Sequence, residues 1–176
     1  MLNKSNFFGS YFGNSKSYYK NITKTKKILN SFLVDLKDFK VPLLESYEKD
    51  YEFDFSIATV KRFSSYKNIV IIGMGGSILG TKSIYSFLKK KIKKNVFFFD
   101  NLDSNLFSEY KKIKNLNNSC FIVAGKSGRT IETIVNLGVI FSKNLLKNKL
   151  IIIAEPTDNA LMNIANKYQA EVIEHK

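Results

Sequence analysis

From Asn68 onward the chain carries short apolar runs at Ile69 to Ile72, Val96 to Phe99, Cys120 to Ala124, Leu150 to Ala154 and Val172-Ile173. Each run is continuous rather than alternating, the pattern of strands buried on both faces. Between the runs, apolar residues recur at helical spacing. Ile84, Phe87 and Leu88 mark one helix, and Leu106, Tyr110 and Ile113 a second. Ile131, Ile134, Val135 and Phe141 mark a third, and Leu161, Ile164, Ala165 and Tyr168 a fourth. Strands alternating with helices predict an α/β fold: a doubly wound, parallel, five-stranded sheet with right-handed crossovers. Upstream, Leu29, Phe32, Leu33 and Leu36 stand at i, i+3, i+4 and i+7 and predict an N-terminal amphipathic helix, ended or broken at Val41-Pro42. Residues 43–64 carry a weaker helical signal. Residues 1–20 have no period, yet they hold Phe7, Phe8, Tyr11 and Phe12, which predicts that this segment lies against the domain or a partner. The expected organisation is an extension with helices over 1–64, packing on a core domain over 65–176, without internal repeats.

Composition narrows the function classes. The 176 residues are 44% hydrophobic, enough for one buried core. One cysteine and one histidine argue against a disulfide framework and a thiolate or histidine metal site, so no metal or other cofactor is expected. No apolar run approaches the ~20 residues that span a bilayer. The opening Met1-Leu2-Asn3-Lys4 has no secretory pattern, so no membrane partner and a cytoplasmic setting are expected. The net charge of +13 could speak for nucleic acid, but Arg62 and Arg129 are the only arginines and the lysines are spread, with one dense cluster at Lys89 to Lys94. Base readout and bidentate phosphate clamps favour arginine, so no nucleic-acid partner is expected. A basic surface still attracts phosphorylated anions at long range.

Two loops carry candidate chemistry, and both follow predicted strands at their carboxyl ends, where ligands bind in such sheets. The first is Gly73-Met74-Gly75-Gly76-Ser77-Ile78-Leu79-Gly80. Glycines and a hydroxyl opening a helix offer backbone N–H groups to an anion. A dinucleotide fingerprint needs glycine where Ile78 stands, and a P-loop needs lysine where Thr81 stands, with Lys82 one place late. A loop for a compact phosphate group fits without a defect, and a bare turn remains open. The second loop is Gly125-Lys126-Ser127-Gly128-Arg129-Thr130-Ile131-Glu132-Thr133. Hydroxyls, amides and two cations at one helix amino end describe a phosphomonoester cradle. Capping by Ser127 or Thr130 would explain one hydroxyl but not the cluster.

These two loops, in this order, resemble the sugar isomerase (SIS) domain, and within it the glucose-6-phosphate isomerase family. The first loop matches the family's G-x-G-G-S stretch over Gly73 to Gly80, and the second its S-K-S/T-x-x-T-x-E-T stretch at Lys126, Ser127, Thr130, Glu132 and Thr133. Short SIS domains usually lack that lysine. Asp100-Asn101-Leu102-Asp103 resembles the family's N/D-x-D stretch after the second strand. The likeness covers roughly residues 68–176. One position departs: Gly125 stands where the family has serine, and Arg129 sits at a variable place where it partly compensates.

The resemblance implies a flavodoxin-like SIS fold and a sugar-phosphate substrate held at Gly76, Ser77, Lys126, Ser127, Gly128, Arg129 and Thr130. It implies metal-free interconversion of glucose 6-phosphate and fructose 6-phosphate in glycolysis and gluconeogenesis, by a homodimeric parent. The family's base, its arginine and its ring-opening histidine and lysine follow the matched region. The expectation is therefore an N-terminal part of such an enzyme, truncated at its C-terminus, with no catalytic residue beyond a supporting role for Glu132. His175 does not match the family's catalytic histidine and reads as an ordinary terminal residue. The alternative is a stand-alone SIS module that binds or senses sugar phosphate; a reading frame continuing into G-G-R-x-S would separate the two.

Overall fold

The apolar runs pair into one sheet. The computed structural model describes residues 16–38, 46, 50–141 and 149–175. Two units divide the chain, Met1–Glu52 and Phe53–Lys176. In the first, α1 (Lys16–Lys37) contains the predicted stripe of Leu29, Phe32, Leu33 and Leu36. The aromatic segment Phe7 to Phe12 and the Val41-Pro42 break lie outside the described residues.

The second unit runs α2 (Ile57–Ser64), β1 (Asn68–Gly73), α3 (Gly76–Leu88), β2 (Asn95–Phe99) and α4 (Leu106–Lys111). It continues with β3 (Ser119–Ala124), α5 (Ile131–Phe141), β4 (Leu150–Ala154), α6 (Ala160–Tyr168) and β5 (Glu171–Glu174). The strands form an all-parallel sheet in the order β2-β1-β3-β4-β5. This is the doubly wound α/β architecture, with its switch of direction between β1 and β3, the place where open sheets bind ligands.

One sheet face is thickly covered. Val70, Ile72, Phe121, Val123, Leu150 and Ile152 pack with Leu137 and Ile140 of α5, Leu161 and Ala165 of α6, and Tyr110 of α4. The other face is covered mainly toward the amino ends of its strands, where Phe63 of α2 packs on Cys120 and Ile151. Burial pushes the Cys120 thiol up to about 12, against a smaller opposing pull from Lys94, so this cysteine is a core residue and not a nucleophile. At the amino ends of β1, β2 and β3, the Asn68 amide donates to Lys114 O and Ser119 Oγ and accepts from Asn95 Nδ2, which satisfies a buried side chain.

Two helices turn a different face inward from the one their apolar residues predict. On α3, Ile84 and Phe87 are exposed and Ile78 is the fully buried residue. On α5, Ile131 and Val135 are exposed, while Thr133, Asn136, Leu137 and Ile140 are buried.

The free edge of β5 is clasped by the segment that precedes β1, including α2. Glu174 N donates to Asp54 Oδ2 at 2.6 Å, and Thr59 Oγ1 donates to Glu171 Oε1 at 2.8 Å. Arg62 pairs with the other Glu171 oxygen. Covering an edge in this way blocks intermolecular strand pairing. The Arg62 hydrogen bond, with help from Thr59, holds the Glu171 carboxyl below its ordinary value. A depressed carboxylate stabilises the fold above its unfolded-state value and loses that contribution as pH falls through the folded one. Glu171→Gln should therefore leave acid unfolding less pH-dependent. The loss at neutral pH should be under about 1 kcal/mol, because Arg62 is exposed and water screens the pair. Urea titrations at pH 3 to 7 measure both effects.

Candidate functional site

β1 ends at Gly73 and the chain turns into α3 through Gly75, whose φ of 53° and ψ of −125° lie in a region that side chains disfavour. Ser77 N donates to Met74 O, and Ile78 N to Gly75 O, both at 3.1 Å. Gly75 and Gly76 are exposed, so the positive end of the α3 dipole opens to solvent.

The loop after β3 is stitched to its neighbours. Gly125 N donates to Ile153 O at 3.0 Å, Glu155 N to Lys126 O at 2.9 Å, and Leu161 N to Gly128 O at 3.3 Å. Gly128 has a φ of 63°, and a Cβ there would lie 2.0 Å from Asn159 Oδ1. Only glycine fits this turn, because Asn159, the amino cap of α6, fills the space where a side chain would stand. Arg129 N donates to Ser127 Oγ at 3.4 Å.

Between these loops lies an open cleft of about 570 Å³ at the carboxyl ends of β1, β3 and β4. Its floor is the less covered sheet face, Ile71, Ile122, Ala124 and Ile153. Gly76, Ser77 and Thr81 of α3 form one wall, Gly125 and Lys126 another, and His175 closes the far side. Hydroxyls, an open helix amino end and an ammonium over an apolar floor suit an anion carried on a small organic body.

The structure brings Gly76, Ser77 and Lys126 together in this cleft. Ser127, Gly128, Arg129 and Thr130 continue the same loop into α5 but do not line it. Arg129 is directed elsewhere, its Nη2 donating to Asp158 O at 3.3 Å. Lys126 Nζ stands 3.9 Å from Glu155 Oε1, an acidic neighbour that loop spacing does not reveal. Glu132 is half-buried in the first turn of α5 and takes no part in the lining. Lys82 pairs with Asp100 at 2.5 Å, on the β2 side of α3, which takes it away from any P-loop role.

Two lining residues were missed in the sequence. Thr81 is one helical turn beyond Ser77, so the α3 face predicts it once Ser77 is taken as a ligand. His175 follows β5, and its signal is strand alternation from Ile173. Among the described residues no group of three His, Cys, Asp or Glu side chains could hold a metal ion, and no helix is long and apolar enough to cross a membrane.

The family model described as phosphoglucose isomerase matches residues 44–164, more than half of the chain. A glucose-6-phosphate isomerase of Methanocaldococcus jannaschii is 38% identical over 109 residues, covering 60% of this chain and 27% of that protein. One of Borrelia garinii is 30% identical over 143 residues, covering 70% of this chain and 27% of that protein. The chain thus spans about a quarter of the length of these relatives. The crystal structure of a glucose-6-phosphate isomerase from Chlamydia trachomatis superposes with a TM-score of 0.55 at 23% identity, over 65% of this chain and 23% of that one, a likeness of fold alone.

Proposed function

This chain belongs to the phosphoglucose isomerase family, and on that premise we propose that it contributes the phosphate-binding part of a glucose-6-phosphate isomerase. The observation that carries the proposal is the meeting of Gly76, Ser77 and Lys126 on one cleft at the carboxyl ends of β1 and β3. A phosphomonoester placed there accepts hydrogen bonds from the Ser77 hydroxyl and the amino end of α3, and faces the Lys126 ammonium. Ser127, Gly128 and Thr130 lie just beyond that lining at the amino end of α5, where the family's motif assigns Ser127 and Thr130 to the same phosphate, while Arg129 is turned to Asp158. The whole protein interconverts glucose 6-phosphate and fructose 6-phosphate through an enediolate, as a homodimer in the cytoplasm. That reaction needs a base to carry a proton between C1 and C2. The described lining of the cleft offers no carboxylate for that step, so residues 1–176 by themselves should bind substrate without turning it over.

Calorimetry and a coupled assay test this directly. Glucose 6-phosphate should bind, glucose should not, and Ser127→Ala or Thr130→Ala should weaken binding roughly tenfold. Binding of glucose as tight as that of its phosphate would overturn the reading, as would turnover that scales with protein.

Gly125 permits a test in the opposite direction. A Cβ there would meet only Leu161 Cδ1, at 3.2 Å, so that this buried side chain must give by a few tenths of an ångström, and the residue has no positive φ. Gly125→Ser supplies the hydroxyl that the family carries and should tighten phosphate binding by a few-fold, read in the same titration.

A further inference from the structure

The cleft is longer than a phosphate needs. Neighbouring strands lie about 4.8 Å apart, so the loop after β3 and the residue after β5, two strands along, are about 10 Å apart across the sheet. The Ser77 loop, after β1, lies one strand beyond Lys126 on the other side. A phosphate between Ser77 and Lys126 therefore occupies one end of the cleft, His175 stands at the other, and Ile153 of β4 forms the floor between them.

Strand geometry sets the direction of His175. Ile153 pairs in register with Ile173, and both pack on the cleft side of the sheet. Residues two apart in a strand share a face, so His175 shares that of Ile173. His175 N donates to Ala154 O at 2.9 Å, which carries the β4–β5 ladder one residue beyond the strand and fixes the backbone there. Imidazole can both donate and accept a hydrogen bond, which matches the hydroxyls and carbonyl of a sugar better than the ammonium of Lys126 does.

We propose that His175 binds the non-phosphate end of a phosphorylated sugar whose phosphate sits between Ser77 and Lys126. It is a ligand-binding residue that sets specificity for the sugar and leaves capture of the phosphate to the two glycine-bearing loops. The assignment rests on the reading of this cleft as a sugar-phosphate site.

Titrating the 176-residue protein with inorganic phosphate and with glucose 6-phosphate separates the two ideas. His175→Ala should weaken glucose 6-phosphate about five- to tenfold and leave inorganic phosphate unchanged, while Lys126→Ala weakens both. His175→Gln, which keeps a donor and an acceptor, should recover part of the loss. Unchanged glucose 6-phosphate affinity in His175→Ala, with Lys126→Ala still weakening both ligands, would overturn the role of His175 alone. Equal loss of both ligands in His175→Ala would overturn it too, since the residue would then be supporting the loops. If Lys126→Ala changes neither ligand, the phosphate reading fails and the role of His175 falls with it.

Discussion

Gly128→Ala should destabilise the fold by about 3 kcal/mol, the largest loss expected from adding a methyl group to any of the described glycines. Two effects combine. The residue has a φ of 63°, where an L side chain is strained. The new Cβ would also lie 2.0 Å from Asn159 Oδ1 and 2.3 Å from its Cγ, far inside contact distance. Asn159 cannot simply turn away. Its Oδ1 accepts from Met162 N at 3.0 Å as the cap of α6, and its Nδ2 donates to Glu155 O at 3.1 Å and Thr157 O at 3.0 Å. Displacing a buried side chain with these bonds leaves polar groups unpaired. Thermal unfolding should show a midpoint lower by on the order of 10 °C. Gly138→Ala is the matched control: a Cβ there meets nothing within 4 Å, and the site lies inside α5. That change should stabilise by about 0.5–1 kcal/mol through helix propensity. A neutral Gly128→Ala would mean that the Asn159 contact does not constrain the loop.

The contrast between these glycines illustrates what the sequence could reveal. The five strands were legible because each is a continuous apolar run, and continuous runs report burial on both faces. Glycine-rich ends of β1 and β3 then located the cleft, since those strands flank the reversal of strand order. The inward face of α5 was not legible. Thr133 and Asn136 are buried there, with Asn136 Nδ2 donating to Asn101 O at 3.3 Å, so polar residues occupy the positions that a hydrophobic pattern assigns to solvent. Ile84 and Phe87 misled in the opposite sense, as exposed apolar residues on α3. Pairings across the chain were equally hidden. No local spacing places Glu155 beside Lys126, or Asp158 beside Arg129, because these contacts are created by the neighbouring positions of β3 and β4 in the sheet.

That hidden neighbour decides what Lys126 does. Its side chain is 70% exposed, so its attraction for a phosphate is partly screened, and Glu155 at 3.9 Å competes for the same ammonium. Lys126→Ala removes the cation and also leaves the Glu155 carboxylate beside the bound anion with nothing to offset it. Loss of affinity for glucose 6-phosphate should therefore reach about 1.5–2 kcal/mol, roughly ten- to thirtyfold, and should shrink as salt rises. Glu155→Gln alone should tighten binding a few-fold, because it frees the ammonium and removes a like charge. The double variant should bind better than Lys126→Ala alone, since the uncompensated carboxylate is gone. Non-additivity in that cycle measures the coupling between the two side chains. Calorimetric titrations of the four proteins at low and high salt supply every term. Wild-type affinity in Lys126→Ala at low salt would overturn the placement of the phosphate between Ser77 and this lysine.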